Sequence, residues 1–364
     1  MPPFPSEMSY FNGYFSRHDQ YLPLHKRPTF SRPNLLTLTL GLLVAIFAVA
    51  NMVSLFRPVR SWPSPFDDYQ AFRNTFPIIN QSLNTSLQNH AIVTTLYSDS
   101  YATAVATLGH SLRKANTSAR LIVLYFPERI SPAALCVATS SGFELHPISR
   151  IPPPPNSAGM DPHFIDQFTK LALWSLDTLS IDSLIYMDAD TLVLRNFDEI
   201  FSLPFSFAAV PDVFLDDRGF VITFNAGVLF LKPDTEIFHA MIDVLPVARF
   251  PPEYAEQAFL NQFFAPSAVR LPYVYNGNLA YKKRAPKLWE DIRRELRVIH
   301  YTIEKPFLGS HFKLLDWETL DERIAEAATS DGGFFRDEME LWGKTWQEAR
   351  MEYAEKLDQC RRGR

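Results

Sequence analysis

The longest uninterrupted apolar stretch lies near the N-terminus. Leu35–Phe56 (LLTLTLGLLVAIFAVANMVSLF) runs 22 residues without a charge. As a helix it reaches roughly 33 Å, enough for a hydrocarbon core of about 30 Å. It has no periodic polar face, and basic residues bracket it, which argues against a buried core helix. It is also too long and too far from the N-terminus for a cleaved signal peptide. Beyond it the pattern changes twice. Residues 57–90 carry Pro58, Pro63, Pro65 and Pro77 among Asn, Ser and Gln, and read as a partly extended stem. From Ala91 short apolar runs alternate with longer periodic ones. Strands are expected at Ala91–Tyr97, Leu121–Phe126, Phe143–Ile148, Ser183–Met187, Phe205–Val210, Val228–Leu231 and Arg297–Tyr301. Helices are expected at Tyr101–Lys114, after Ser131-Pro132, at Gln167–Leu179 and over the last 40 residues around Trp342, Trp346, Ala349 and Tyr353. Strands alternating with helices predict an α/β domain with a mostly parallel sheet.

The flanks of the apolar run suggest its orientation. Arg17, Lys26, Arg27 and Arg32 precede it, whereas Arg57 and Arg60 follow, a modest positive-inside bias for a cytoplasmic N-terminus. The acceptor sequons at Asn80, Asn84 and Asn116 all follow the run, as a lumenal C-terminal part requires. The expected organisation is a cytoplasmic tail (1–34), a signal anchor (35–56), a lumenal stem (57–90), a lumenal domain (91–310) and a C-terminal helical extension (311–364). This is a single-pass type II protein of the Golgi or another secretory-pathway membrane. A net charge of −5 from 35 Lys+Arg and 40 Asp+Glu argues against a nucleic-acid partner. Two cysteines, Cys136 and Cys360, exclude a disulfide scaffold and a Cys-based zinc site. Their pairing in an oxidising lumen stays open.

The sharpest chemical feature is Tyr186-Met187-Asp188-Ala189-Asp190, where an apolar strand runs into two carboxylates. Two positions apart on an extended chain, both can point to one side. The carboxyl ends of strands in an open α/β sheet border the ligand crevice. Hard oxygen ligands suit Mg²⁺ or Mn²⁺. His300 ends another apolar strand and would add a nitrogen ligand, which favours Mn²⁺ over Mg²⁺. Lys305 lies just beyond it. The basic stretch 281–297 is either a solvated face or a surface for an anionic acceptor.

These segments resemble glycogenin and its relatives, the family 8 retaining glycosyltransferases. YMDADTLVLRNFDEIF (186–201) resembles the family's metal-site segment. TLYSDSYATAVATLGHSLRK (95–114) is similar to the first strand and nucleotide-binding helix, and FTKLALWSL (168–176) to the helix with a donor-binding lysine. FNAGVLFLKP (224–233), EQAFLNQFF (256–264), LPYVYN (271–276) and HYTIEKPF (300–307) follow in family order. The resemblance covers roughly Ala91 to Phe307.

It implies a GT-A fold and a UDP-sugar donor. Asp188, Asp190 and His300 would bind the metal, and Thr95, Tyr97, Ser98 and Tyr101 would line the uridine pocket. Lys170, Ala189, Asn225 and Ala226 would contact the donor, and Lys305 the diphosphate. Gln257 would sit beside the anomeric carbon, with Glu256 as the nearest carboxylate. Glu256 stands where the family has Asp, Ala258 where it has Gly, and Glu253 replaces a further upstream Asp. The function implied is Mn²⁺-dependent retaining transfer of a hexose or N-acetylhexosamine to a lumenal glycan or glycoprotein. The alternatives are a self-glucosylating glycogenin-like enzyme and a non-catalytic glycan-binding protein on a degenerate transferase fold. A second copy of the chain is a further candidate partner.

Overall fold

A computed structural model describes residues 35–55, 89–155, 160–212, 223–265, 267–309 and 313–362. The tail 1–34, most of the stem, and the sequons at Asn80 and Asn84 lie outside the described residues. The chain divides into two compact units, Met1–Ser61 and Trp62–Arg364.

In the first unit, helix α1 (Leu35–Leu55) is apolar all round, with Leu36, Leu43, Phe47 and Met52 all exposed. Over the described residues no helix is long and apolar enough to cross a membrane. The anchor at 35–56 is thus an expectation of the sequence that the described residues do not bear out.

The second unit begins with β1 (His90–Leu96), a 3-10 turn (Asp99–Tyr101), α2 (Ala102–Lys114), β2 (Arg120–Tyr125), α3 (Pro132–Ala138) and β3 (Glu144–Pro147). Pro132 occupies the first turn of α3, and the Ser131 hydroxyl accepts from Ala134 N–H at 3.2 Å, the capping its sequence predicts. Pro162–Leu179 follows. It winds with 3-10 geometry, not the α-helix expected for Gln167–Leu179, and starts earlier. Next come β4 (Ser183–Met187), β5 (Thr191–Val193), β6 (Phe207–Pro211), β7 (Phe224–Leu231), α4 (Thr235–Val244), α5 (Ala255–Phe263), β8 (Val269–Arg270), β9 (Gly277–Asn278), α6 (Leu279–Arg284), α7 (Pro286–Ile292) and β10 (Val298–His300). The last helices are α8 (Trp317–Thr329), α9 (Arg336–Glu352) and α10 (Ala354–Arg362).

The main sheet has seven strands in the order β3-β2-β1-β4-β7-β6-β8. The first four are parallel, β7 is antiparallel to both β4 and β6, and β8 pairs parallel with β6. This is the mixed, mostly parallel sheet of an α/β fold, as the alternation of strands and helices predicts. Strands covered on both faces are mostly apolar, as β1, β2 and β4 are, with Thr94 and Thr95 the buried polar positions of β1. Ile92, Leu96, Leu121 and Val123 enter one core with α2, α3 and the C-terminal helices. Ala91, Val93, Ile122 and Leu124 enter the other with Pro162–Leu179, α4 and α5. A second sheet, β5-β10-β9, has β10 antiparallel to β5 and parallel to β9. It carries His300 back over the carboxyl end of β4.

The C-terminal helices share the first core through Trp342 and Trp346, and Trp346 packs on Trp317 at 5.1 Å. Cys136 of α3 and Cys360 of α10 form a disulfide, with Cα atoms 5.4 Å apart. The pairing left open by a separation of 224 positions is thus made by the packing of α10 against α3.

Candidate active site

β4 is buried along its length and ends at Met187. The chain then turns: Asp188 N–H donates to Gly227 O (2.8 Å), and Thr191 donates to Asp188 O through both its N–H and its hydroxyl. This turn sets the carboxylates of Asp188 and Asp190 against His300 at the end of β10. His300 Nε2 lies 3.2 Å from Asp190 Oδ1 and 3.7 Å from Asp188 Oδ2. One donor atom from each of the three lies within 4.8 Å of the others. Among the described residues they form a group able to hold a divalent metal. Two hard oxygens and an imidazole nitrogen suit an ion of the Mn²⁺ or Mg²⁺ class.

Two lysines, Lys170 buried and Lys305 partly buried, offset the carboxylates. Lys170 is 3 % exposed; its Nζ lies 2.9 Å from Asp188 Oδ1, 2.8 Å from Glu256 Oε1 and 5.1 Å over the Tyr186 ring. Burial alone would pull its ammonium down, but Asp188 and Glu256 together hold it above the ordinary lysine value. Glu256 goes the other way for a carboxylate. Burial pushes it up, and Lys170 only partly opposes this. On the far side Lys305 is bonded to Asp190 and to Tyr301 O (3.1 Å). Burial would raise Asp190, but Lys305 and His300 outweigh it and hold the carboxyl well below the usual range.

The other expected site residues fall around this cluster. Thr95 is buried on β1. The Tyr186 hydroxyl donates to Asp188 Oδ1 (2.6 Å), so the Thr95 hydroxyl, 3.1 Å away, donates to Tyr186. Tyr97 stacks on Phe126 at 4.8 Å, Ser98 bonds to Ser100 at 2.8 Å, and Tyr101 meets Phe307 edge-on at 5.2 Å. Burial pushes Tyr101 above its ordinary value, with Lys305 opposing. Ala189 and Ala226 are both buried. Glu253 sits exposed in the 3-10 turn Pro252–Tyr254.

Gln257 is held by its neighbours. Its Oε1 accepts from Ala226 N–H (2.9 Å) and Asn225 Nδ2 (3.3 Å), and its Nε2 donates to Asp212 Oδ2 (2.7 Å). Ala255, which enters this helix, has φ 46° and ψ −133°, a conformation that favours glycine. Sequence reasoning gave no role to Asp212, Gly227 or Asn276. Asn276 was present only as the last letter of a motif. A Cβ on Gly227 would lie 2.1 Å from His300 Cε1, so the missing side chain makes room for the imidazole.

Lys282, Lys283, Arg293 and Arg297 of the basic stretch 281–297 form ion pairs. Lys282 meets Glu338 (2.8 Å), Lys283 meets Asp331 (3.0 Å), Arg293 meets Glu290 (2.9 Å) and Arg297 meets Glu199 (3.1 Å).

Residues 92–308 match the profile described as Glycosyl transferase family 8. That is more than half of the chain, which belongs to this family and contains a glycosyltransferase domain. The chain is 28% identical over 233 residues to glycogenin of Neurospora crassa, covering 63% of this chain and 33% of that protein. It is 28% identical over 231 residues to galactinol synthase 1 of Ajuga reptans (55% and 67% covered) and 31% identical over 199 residues to human glycogenin-1 (52% and 54%). The match spans a third to about half of the length of the first curated relatives, 33% and 52%. Among solved structures, galactosyltransferase LgtC with donor and acceptor sugar analogues gives a TM-score of 0.45 at 20% identity, covering 68% of this chain and 99% of that one. The apo glycosyltransferase GlyE of Streptococcus pneumoniae gives 0.43 at 19% identity, covering 65% and 64%.

Proposed function

We propose that the protein is a retaining glycosyltransferase that moves a hexose or N-acetylhexosamine from a UDP-sugar to a lumenal glycan or glycoprotein. The observation that carries this reading is the Asp188, Asp190 and His300 donor set flanked by the Lys170 and Lys305 ammoniums. A divalent ion held by the three residues, Mn²⁺ by the nitrogen ligand, would neutralise the leaving diphosphate.

The chain's own groups do the rest. Lys305 places a fixed positive charge beside Asp190, where a diphosphate oxygen would bind. Thr95, Tyr97 and Tyr101 lie at the carboxyl end of β1 and just after it, next to the same crevice. Gln257 is neutral and has both ends of its amide engaged. Glu256 is bonded to Lys170 and buried, so it is a poor free nucleophile. These constraints favour same-face attack, in which the departing phosphate oxygen takes the acceptor proton.

Three observations support a lumenal setting. The run 35–56 carries no charge, the Cys136–Cys360 disulfide suits an oxidising compartment, and Asn116 of the third sequon is exposed. The membrane anchor also favours this reading over cytosolic self-glucosylation.

The test is UDP release from UDP-glucose, UDP-galactose and UDP-N-acetylglucosamine, with Mn²⁺ and with chelator. Asp190→Asn keeps the shape and loses the charge; release should fall at least ~100-fold while the domain stays folded. No release from any donor, or a fully active Asp190→Asn variant, overturns the proposal. Endoglycosidase treatment should shift the gel band. No shift, together with cytosolic protease access to the C-terminus, reverses the topology.

A further inference from the structure

The environment of His300 holds more than its contacts to the two aspartates. Behind the imidazole, Nδ1 lies 3.1 Å from Asn276 Oδ1, in a fully buried setting. Asn276 Nδ2 reaches Asn225 Oδ1 at 2.9 Å, and Asn225 Nδ2 reaches Gln257 Oε1 at 3.3 Å. Three side-chain amides from three separate segments thus form one chain that starts at the metal-type site and ends on Asp212.

The direction of this chain is fixed by two backbone groups. Gly227 N–H points at Asn225 Oδ1 (3.0 Å), and Ala226 N–H points at Gln257 Oε1 (2.9 Å). A backbone N–H can only donate, so both of those atoms must be oxygens. The Asn276 atom that faces Asn225 Oδ1 must then be its NH₂. Its oxygen is left facing His300, and the ring nitrogen there must carry the hydrogen. Nδ1 therefore keeps its hydrogen, and Nε2, which faces Asp188 and Asp190, is the nitrogen whose lone pair a metal would take.

We infer that Asn276 is a positioning residue: it locks His300 in the Nδ1–H tautomer and so presents Nε2 as a ready metal ligand. The backbone of the Asn225–Gly227 segment dictates this through the amide chain. Gly227 completes the arrangement, because a Cβ there would strike the ring at 2.1 Å from Cε1. The inference rests on the reading of His300 as a metal ligand. Partners of this kind on ligating histidines typically change metal affinity by about 10–100-fold.

The tautomer can be read without metal or substrate. In the full-length chain, labelled with ¹⁵N-histidine, metal-free and at about pH 8, solid-state ¹⁵N spectra should show His300 carrying a hydrogen at Nδ1. His300→Gln assigns the signal by its disappearance. Asn276→Leu removes the acceptor and should release the tautomer and weaken Mn²⁺ binding by about 10–100-fold, read from free Mn²⁺ by electron paramagnetic resonance. Asn276→Asp loses the bond to Asn225 Oδ1 but keeps an oxygen at Nδ1, and should keep the hydrogen on Nδ1. An Nε2–H tautomer in the wild-type chain overturns the inference, whether or not Asn276→Leu folds. So does an Asn276→Leu variant with wild-type tautomer and affinity. If wild type binds no Mn²⁺ but shows the Nδ1–H tautomer, the metal reading fails while the tautomer lock stands.

Discussion

Replacing Lys170 with Met should expose how the buried charges at the site depend on one another. The ammonium is 3 % exposed and within 2.9 Å of two carboxylates, Asp188 and Glu256. Met fills similar volume without charge. Asp188 retains the Tyr186 hydroxyl at 2.6 Å and partial solvent exposure, so it can adapt. Glu256 is 4 % exposed and loses its cation. Breaking a buried pair at one partner costs about 3–5 kcal/mol. At about 2 °C per kcal/mol for a domain of this size, the metal-free melting temperature should fall by about 6–10 °C near pH 7. The cost should also depend on pH. Burial already raises the Glu256 carboxyl above its ordinary 4.5, and without Lys170 it rises further. The native state then binds more protons than the unfolded chain between those two values, so stability falls as pH rises through that window. The deficit should shrink as pH is lowered toward 4.5. Lys170→Met/Glu256→Gln removes the stranded charge and should recover more than half of the loss. Thermal unfolding of the purified protein in chelator, across pH 4.5–8, is the assay. A single variant melting within about 2 °C of wild type at pH 7, or a double variant no more stable than the single, refutes the reasoning.

Gly227→Ala should push the His300 ring aside and weaken Mn²⁺ binding at least ~10-fold, measured by calorimetry, since the new Cβ would lie 2.1 Å from Cε1. Ala255→Gly should stabilise the protein by about 1 kcal/mol, seen as a higher melting temperature, because glycine accepts φ 46° without strain. Cys136→Ser opens a loop of 224 positions; in the chain-entropy view this costs up to about 5 kcal/mol. Reductant should lower the melting temperature of wild type and leave that of the variant unchanged.

The parts of the fold visible in the sequence were those with a strong local signal. β4 was expected at Ser183–Met187 and is found there, because five buried residues followed by Asp-x-Asp leave little ambiguity. α3 was visible through Ser131 and Pro132. Pro162–Leu179 was visible as helical but not as 3-10, since its apolar spacing is set by burial of Phe168, Leu171 and Trp174 against the sheet. The small sheet was largely hidden. β5 and β9 are three and two residues long, too short for alternation to register, whereas β10 lies within the strand expected at Arg297–Tyr301. The disulfide was hidden for a related reason: only the packing of α10 on α3 brings Cys360 to Cys136.

The site divides along the same line. Asp188, Asp190 and His300 could be named because each ends an apolar strand, and the family resemblance then supplied Lys170, Asn225, Gln257 and Lys305. What no pattern carries is the direction of a hydrogen bond. Asn225, Gln257 and Asn276 come from β7, α5 and the turn before β9, and nothing periodic links them. Their order becomes definite only because two backbone N–H groups of one segment, Ala226 and Gly227, cannot accept. That segment therefore does two things at once. It leaves room for the His300 ring at Gly227, and it sets which nitrogen of that ring is free to bind metal.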